Sequence, residues 1–229
     1  MQSFAAVAAQ KNYTVYTVDL PLHGESRWQG SRFDTHDMAE LVQHIREKEP
    51  QLQHFDLAGY SLGGRVVLAS LNYFPQKPLT LYLFAPAAAP QNKFHPYIKT
   101  PLFFKKMIEK LSKNPSWLLK TGRILQQIGL VSPFQLAFAE KYFTDEELRK
   151  KMFFWWRTLQ YLPIKPNVIQ DIFVFNRMKV HLLFGEKDTT IPLHSSNWFQ
   201  KNFKISTIQS VPDGHRGVLK AAAEWLENL

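Results

Sequence analysis

A candidate catalytic serine lies in the segment from Gly59 to Gly64, which reads GYSLGG. This segment matches G-x-S-x-G between a predicted strand and a predicted helix, the context that the motif requires. A serine on so tight a turn has strained dihedral angles, and the flanking positions Gly59 and Gly63 must lack bulk. The turn presents the Ser61 hydroxyl above the sheet, and the Leu62 backbone N–H points to where an oxyanion would form. The pattern therefore favours nucleophilic catalysis over an incidental serine in a glycine-rich turn.

A second motif precedes this serine. The residues from Asp19 to Ser26 read DLPLHGES. The first motif is GYSLGG, in which Tyr60 precedes the serine. The two motifs together make the chain resemble the α/β-hydrolase superfamily, particularly its esterases and C–C hydrolases with a helical cap. The loop commonly reads D-x-P-G-H-G-x-S there, and Leu22 here replaces the usual glycine. Since the loop is mainly structural in that superfamily, the resemblance gives His23 no catalytic role.

The resemblance also implies the partners of the serine. A serine hydroxyl needs an adjacent base, and an imidazole base needs a carboxylate that fixes its tautomer. In the superfamily the acid follows the nucleophile, in a G-x-x-D context after the cap, and the histidine follows the last strand. The sequences GEKD, ending at Asp188, and DGH, ending at His215, match these contexts. The resemblance thus implies a triad of Ser61, Asp188 and His215.

Two other carboxylates are alternatives for the acid. Asp213 lies close to His215 in sequence, and Glu186 lies next to the expected position. No metal or nucleotide site is indicated, because the chain has no HExxH, EF-hand, P-loop or GxGxxG pattern. We therefore expect no cofactor.

Strand and helix patterns alternate at both ends of the chain, which predicts an α/β fold with a mostly parallel, doubly wound sheet. The predicted strands are Tyr13–Leu20, Gln53–Ala58, Leu79–Ala85, 181–185 and Ile205–Val211. The predicted helices are one that Asp34 caps and that reaches Lys48, then Ser61–Phe74, Leu193–Asn202 and Gly217–Leu229.

The middle of the chain has a different pattern and predicts an all-helical cap. We expect a core of residues 1–89 and 179–229, interrupted by a cap (lid) insertion over 90–178. Residues 91–179 hold 16 Lys and Arg against 6 Asp and Glu, whereas the rest of the chain holds 12 against 13. The cap is also rich in aromatic residues. These features suggest an apolar acyl or aromatic substrate group, with an anionic group attracted by the basic residues.

One element that the resemblance implies is missing. In the superfamily a strand ending in His-Gly precedes the DLPLHGES loop and supplies a second oxyanion donor, but only about a dozen residues precede Tyr13 here. We therefore expect an N-terminally incomplete fold whose natural start lies upstream of Met1. Losing one oxyanion donor costs a factor of about 10²–10³ in rate.

Composition limits location and partners. The chain has no cysteine, no apolar run that could span a bilayer and no positively charged signal-peptide start. We expect a cytoplasmic protein with a small-molecule substrate and no nucleic-acid partner. The basic cap leaves membrane contact open.

These observations predict a serine hydrolase that acts on a carboxylic ester through an acyl-enzyme. Thioester hydrolysis and C–C hydrolysis or lyase chemistry on the same triad remain alternatives, because the cap determines the substrate. The missing strand leaves a further alternative, a catalytically weak hydrolase-like binding protein.

Overall fold

The structure is a computed structural model that describes residues 2–51, 53–89 and 115–227. Residues 90–114, the first part of the predicted cap, lie outside the described residues, as do the last two residues of the predicted C-terminal helix.

A parallel sheet forms the centre of the fold. Its strands are β1 (Leu57–Tyr60), β2 (Thr80–Phe84), β3 (Lys179–Gly185) and β4 (Thr207–Val211), and they lie side by side in this order. Every neighbouring pair in the described sheet is parallel, with Tyr60 opposite Phe84 and Gly185 opposite Val211. The predicted α/β class with a parallel sheet is therefore confirmed. It also follows that the carboxyl ends of the strands lie at one edge of the sheet.

Helices alternate with these strands along the described chain. They are α1 (Gln2–Gln10), α2 (Thr35–Lys48), α3 (Leu62–Ser70), α4 (Ser116–Gln127), α5 (Pro133–Thr144), α6 (Glu146–Thr158), α7 (Pro166–Phe175), α8 (Ser196–Asn202) and α9 (Gly217–Glu227). Asp34 caps α2 as predicted, because its side chain accepts the N–H groups of His36 and Asp37. None of the helices in the described ranges is long and apolar enough to cross a membrane.

Helices pack on both faces of the sheet. On one face Phe4 of α1 contacts Phe84, with ring centroids 4.9 Å apart. Leu183 lies opposite Phe84 in the register, so the next residue, Phe184, faces the other way. Phe184 contacts Phe199 of α8 at 6.0 Å. The sheet is therefore covered twice, and most residues of its two central strands are buried, as the apolar sequences of β2 and β3 predict.

The chain divides into two compact units. The first comprises Met1–Trp28, Phe33–Gln91 and Leu162–Leu229, and it contains the whole described sheet. The second comprises Gln29–Arg32 and Asn92–Tyr161, and its described elements are the helices α4, α5 and α6 with a short 3₁₀ turn. The predicted cap boundaries stay a prediction.

The strand predicted over Tyr13–Leu20 is wrong. These residues form no strand, and Tyr13, Val15, Tyr16 and Val18 are exposed. The physical reason is that a strand needs a neighbour to pair with, whereas β1 pairs only with β2 in the described sheet and forms its edge. Valine and tyrosine favour strands because they fit a pleated, half-buried surface, and this segment has none.

Candidate active site

Ser61 lies on a strained turn between β1 and α3. Its φ of 50° and ψ of −115° lie in a region that non-glycine residues rarely adopt. Its N–H donates to the carbonyl of Phe84 at 2.8 Å, and its carbonyl accepts the N–H of Ala87 at 2.9 Å. The last residue of β2 and the chain that follows it therefore hold the strained residue from both sides, as such a conformation requires.

Two glycines make the turn sterically possible, and one of them differs from the sequence-based expectation. A Cβ on Gly59 would lie 2.7 Å from the Cα of Gly64, and a Cβ on Gly64 would lie 2.7 Å from the Cβ of Pro86. A Cβ on Gly63 would meet nothing within 4 Å. In this turn the crowded positions are therefore Gly59 and Gly64, whereas the motif had indicated Gly59 and Gly63.

Asp188 follows β3 and has a fully buried carboxylate. Its Oδ1 accepts the backbone N–H groups of Thr190 and Ile191, both at 2.8 Å, and its Oδ2 lies 2.6 Å from Nδ1 of His215. None of its side-chain surface is exposed. Both oxygens therefore have donors, and the two backbone bonds fix the direction in which Oδ2 points.

His215 lies in the loop between β4 and α9 and contacts both other residues. Because an ionised carboxylate only accepts hydrogen bonds, Nδ1 of His215 carries a proton and donates it to Asp188. Nε2 is then an acceptor, and it lies 3.0 Å from Oγ of Ser61, whose hydroxyl donates to it. The structure thus brings the three predicted residues together in the order that nucleophilic activation requires.

The alternative acids have other contacts. The Glu186 carboxylate accepts the hydroxyl of Ser210 at 2.9 Å on an exposed surface. The side chain of Asp213 lies at the start of α9, and a Cβ on Gly217 would be 2.6 Å from its Oδ1. The backbone carbonyl of Asp213 accepts the N–H of Lys187. Neither carboxylate is the partner of Nδ1.

The N-terminus of α3 lies directly after the serine. Leu62 is the first residue of α3, so its N–H is one of the helix's first donors, which have no acceptor within the helix. These donors and the helix dipole favour negative charge at that point. The predicted oxyanion donor therefore lies at a helix end suited to the role.

Arg65 is a buried residue near the site that sequence reasoning did not identify. It is 4% exposed, and its guanidinium donates to the carbonyls of Ala87 at 3.3 Å and Leu162 at 3.0 Å. Burial lowers the pKa of Arg65 to about 10. Its bond to Ala87 reaches the same segment that holds Ser61. A charged residue within the apolar helix GRVVLAS was the available signal.

A groove lies along α2. Its lining includes His36, Glu40, His44, Glu47 and Tyr73, and Ser61, Asp188 and His215 are not among the lining residues. Within residues 2–51, 53–89 and 115–227, no three His, Cys, Asp or Glu side chains are placed to hold a metal ion. The groove therefore offers no reactive constellation.

The parallel sheet with helices on both faces, and a serine on the turn after one strand, define the chain as an α/β-hydrolase. It belongs to the family described as serine aminopeptidase, S33, whose model matches residues 1–212. The match includes Ser61 and Asp188 and ends before His215. Comparison with curated proteins gives no match.

Solved structures have the same fold at low sequence identity. An esterase from Thermogutta terrifontis is 16% identical with a TM-score of 0.60, and the alignment covers 92% of this chain and 78% of that one. A thioesterase domain from the curacin biosynthetic pathway is 16% identical with a TM-score of 0.59, covering 99% and 84%. A lipase from Acinetobacter baumannii, named as putative, is 19% identical with a TM-score of 0.51, covering 91% and 70%.

Proposed function

We propose that the protein is a serine hydrolase that cleaves a carboxylic ester through an acyl-enzyme. The observation that carries this proposal is the continuous chain of hydrogen bonds from the Ser61 hydroxyl through the His215 imidazole to the buried Asp188 carboxylate, at 3.0 Å and 2.6 Å. A hydroxyl is activated when a base accepts its proton during attack, and the imidazole is placed to do this.

In the first half of the proposed reaction, Oγ of Ser61 attacks the ester carbonyl and its proton passes to Nε2 of His215. Asp188 stabilises the resulting imidazolium. The carbonyl oxygen becomes an oxyanion, which the Leu62 N–H stabilises. When the tetrahedral intermediate collapses, the bond to the leaving alkoxide breaks, and His215 returns the proton to release the alcohol.

In the second half, a water molecule attacks the acyl-enzyme. His215 accepts a proton from this water, and a second tetrahedral intermediate forms. Its collapse breaks the bond to Oγ, the proton returns from Nε2 to Ser61, and the carboxylic acid leaves. The enzyme is restored without any cofactor.

The proposed substrate has an apolar acyl or aromatic group. The support is the aromatic content of the middle of the chain. Phe153, Phe154 and Trp155 there are buried in the second unit, whereas Trp117 exposes half of its surface. An anionic group on the substrate is a further element of the proposal, and it rests on the excess of Lys and Arg over residues 91–179.

Thioester hydrolysis is the second candidate, since it would use the same acyl-enzyme steps. It is favoured by the similarity in fold to a thioesterase domain over 99% of this chain. A series of p-nitrophenyl esters of increasing acyl length, with matched thioesters and with neutral and carboxylate-bearing analogues, separates the two. Equal rates on the neutral and charged analogues would remove the anionic group from the proposal.

A fluorophosphonate probe tests the serine mechanism. We expect labelling of the native protein, complete loss of labelling in Ser61→Ala, and full labelling in Ser31→Ala, which changes an exposed serine.

Asp188→Asn should lower kcat by a factor of about 10⁴, because the amide would turn an N–H towards Nδ1 and impose the wrong tautomer. A folded native chain that takes no label would instead support the binding-protein alternative.

A further inference from the structure

We propose that Tyr60 is a positioning residue, which ties the loop carrying His215 to the strand carrying the nucleophile. This inference rests on the proposed serine mechanism. Tyr60 is the last residue of β1 and the covalent neighbour of Ser61. Its side chain contacts His215 in two independent ways, one through the hydroxyl and one through the ring.

The hydroxyl of Tyr60 contacts the backbone of the histidine. It donates to the carbonyl of His215 at 3.0 Å, across 155 positions of sequence. The bond therefore acts on the main chain of the loop, not on the imidazole that transfers protons. It restrains where the histidine's backbone lies relative to the residue next to the nucleophile.

The ring of Tyr60 contacts the imidazole. The two ring centroids lie 4.9 Å apart, with an angle of 34° between their planes. This separation lies within the range of attractive ring contacts and of cation–π contacts with a charged imidazole. Packing on this face restricts rotation of the imidazole about its bond to the backbone, while Asp188 restricts it from the Nδ1 side.

The hydroxyl keeps its proton over the whole working range of a hydrolase. Burial, with a further contribution from the negative charge of Asp188, raises the pKa of Tyr60 to about 12. A neutral phenol can donate to a carbonyl, whereas a phenolate cannot. The contact therefore persists wherever the base is active.

The Tyr60 bond adds a restraint at the one position of the His215 loop that carries the imidazole. The loop runs from the end of β4 at Val211 to Gly217, where α9 begins. Backbone bonds lie on both sides of the histidine: the carbonyls of Asp213 and Gly214 accept the N–H groups of Lys187 and Gly217, and the carbonyl of Arg216 accepts that of Leu219. Tyr60 supplies the bond at His215 itself. A displacement of about 1 Å between reacting groups can cost a factor of about 10² in rate.

Two substitutions separate the contacts. Tyr60→Phe removes the hydroxyl bond and keeps the ring, and Tyr60→Leu removes both. Tyr82→Phe is the matched control, since Tyr82 is also half-buried, with a pKa that burial raises to about 12, but its ring packs against Phe4 and His181 instead. We expect Tyr60→Phe to lower kcat and the rate of fluorophosphonate labelling by a factor of about 10–100 with KM unchanged, and Tyr60→Leu to lower them further. Tyr82→Phe should leave both rates unchanged.

A spectroscopic measurement distinguishes positioning from a general effect on folding. The proton between Nδ1 of His215 and Asp188 should give a downfield ¹H NMR signal in the native protein. This signal should shift or broaden by exchange in Tyr60→Phe and remain unchanged in Tyr82→Phe. If Tyr60→Phe keeps both the native signal and the native labelling rate, the role of Tyr60 is refuted. If the native protein takes no label, the serine mechanism fails, and the NMR comparison still decides whether Tyr60 positions His215.

Discussion

The two glycines that follow Leu62 at the turn of Ser61 should respond in opposite directions to the same substitution. Gly63 and Gly64 are adjacent in the first turn of α3, and alanine favours a helix over glycine by up to about 1 kcal/mol at either position. What differs is the space around each added methyl group. The pair therefore isolates the steric requirement of the turn from helix propensity.

The magnitude follows from the distances. At Gly64 a Cβ would lie 2.7 Å from the Cβ and 3.1 Å from the Cα of Pro86, and 3.2 Å from the carbonyl oxygen of Gly59. Relaxed carbon contacts need about 3.5–4.0 Å, and these neighbours are a rigid ring and backbone atoms. Overpacking of this kind costs about 1–3 kcal/mol. After the gain in helix propensity, we expect Gly64→Ala to destabilise the protein by up to about 2 kcal/mol. Gly63→Ala meets nothing within 4 Å and should stabilise it by up to about 1 kcal/mol.

Urea unfolding of both variants beside the native protein measures these free energies. Activity provides a second measurement, because Pro86 precedes Ala87, whose N–H holds the carbonyl of Ser61. Gly64→Ala should therefore also reduce labelling of Ser61 under native conditions. Equal stability of the two alanine variants would show that the close approach of α3 to Pro86 is not a constraint, and the steric account of the turn would be refuted.

Two further predictions concern backbone strain and pH. Leu22 has a φ of 61°, the left-handed conformation that costs about 1–2 kcal/mol for a non-glycine residue. Leu22→Gly should therefore lower the free energy of unfolding by at least about 1 kcal/mol less than the control Leu20→Gly does. Equal free energies of unfolding for the two variants would contradict this. The pKa of Tyr60 is raised to about 12 in the folded protein, above its ordinary value of 10.0, so its contribution to stability is fully present below pH 10 and is lost as the pH rises towards 12. Unfolding measured at increasing pH in this range should show a steeper loss of stability in the native protein than in Tyr60→Phe, and identical slopes would count against it.

Much of the site could be predicted because parallel sheets impose it. Ser61, Asp188 and His215 each follow a strand in the sequence, and the carboxyl ends of parallel strands share one edge. The motif contexts then identified which residue after each strand belongs to the site. The motifs did not specify the direction in which each side chain points. The two backbone N–H bonds that orient Asp188 depend on the turn after β3, and no pattern in GEKD specifies them.

The segment Tyr13–Leu20 could not be predicted for a different reason. Its composition was typical of a strand, but strand formation depends on a partner elsewhere in the chain. A similar limit applies to Leu22, where the superfamily pattern has glycine. The structure gives that position a positive φ in spite of its side chain, so the loop geometry is kept and the residue bears the strain.

The end of β2 and the segment after it are as much a part of the site as the motif is. Phe84 accepts the N–H of Ser61, and Ala87 donates its N–H to the carbonyl of Ser61. Pro86 lies against Gly64. The Ala87 carbonyl accepts a hydrogen bond from the guanidinium of Arg65. A strained serine persists only where its surroundings determine it, and these contacts do so without any reactive side chain. The sequence FAPAA in that segment matches no catalytic motif, because its contribution is made by backbone groups. Substitutions there should therefore change the reactivity of Ser61 through geometry alone.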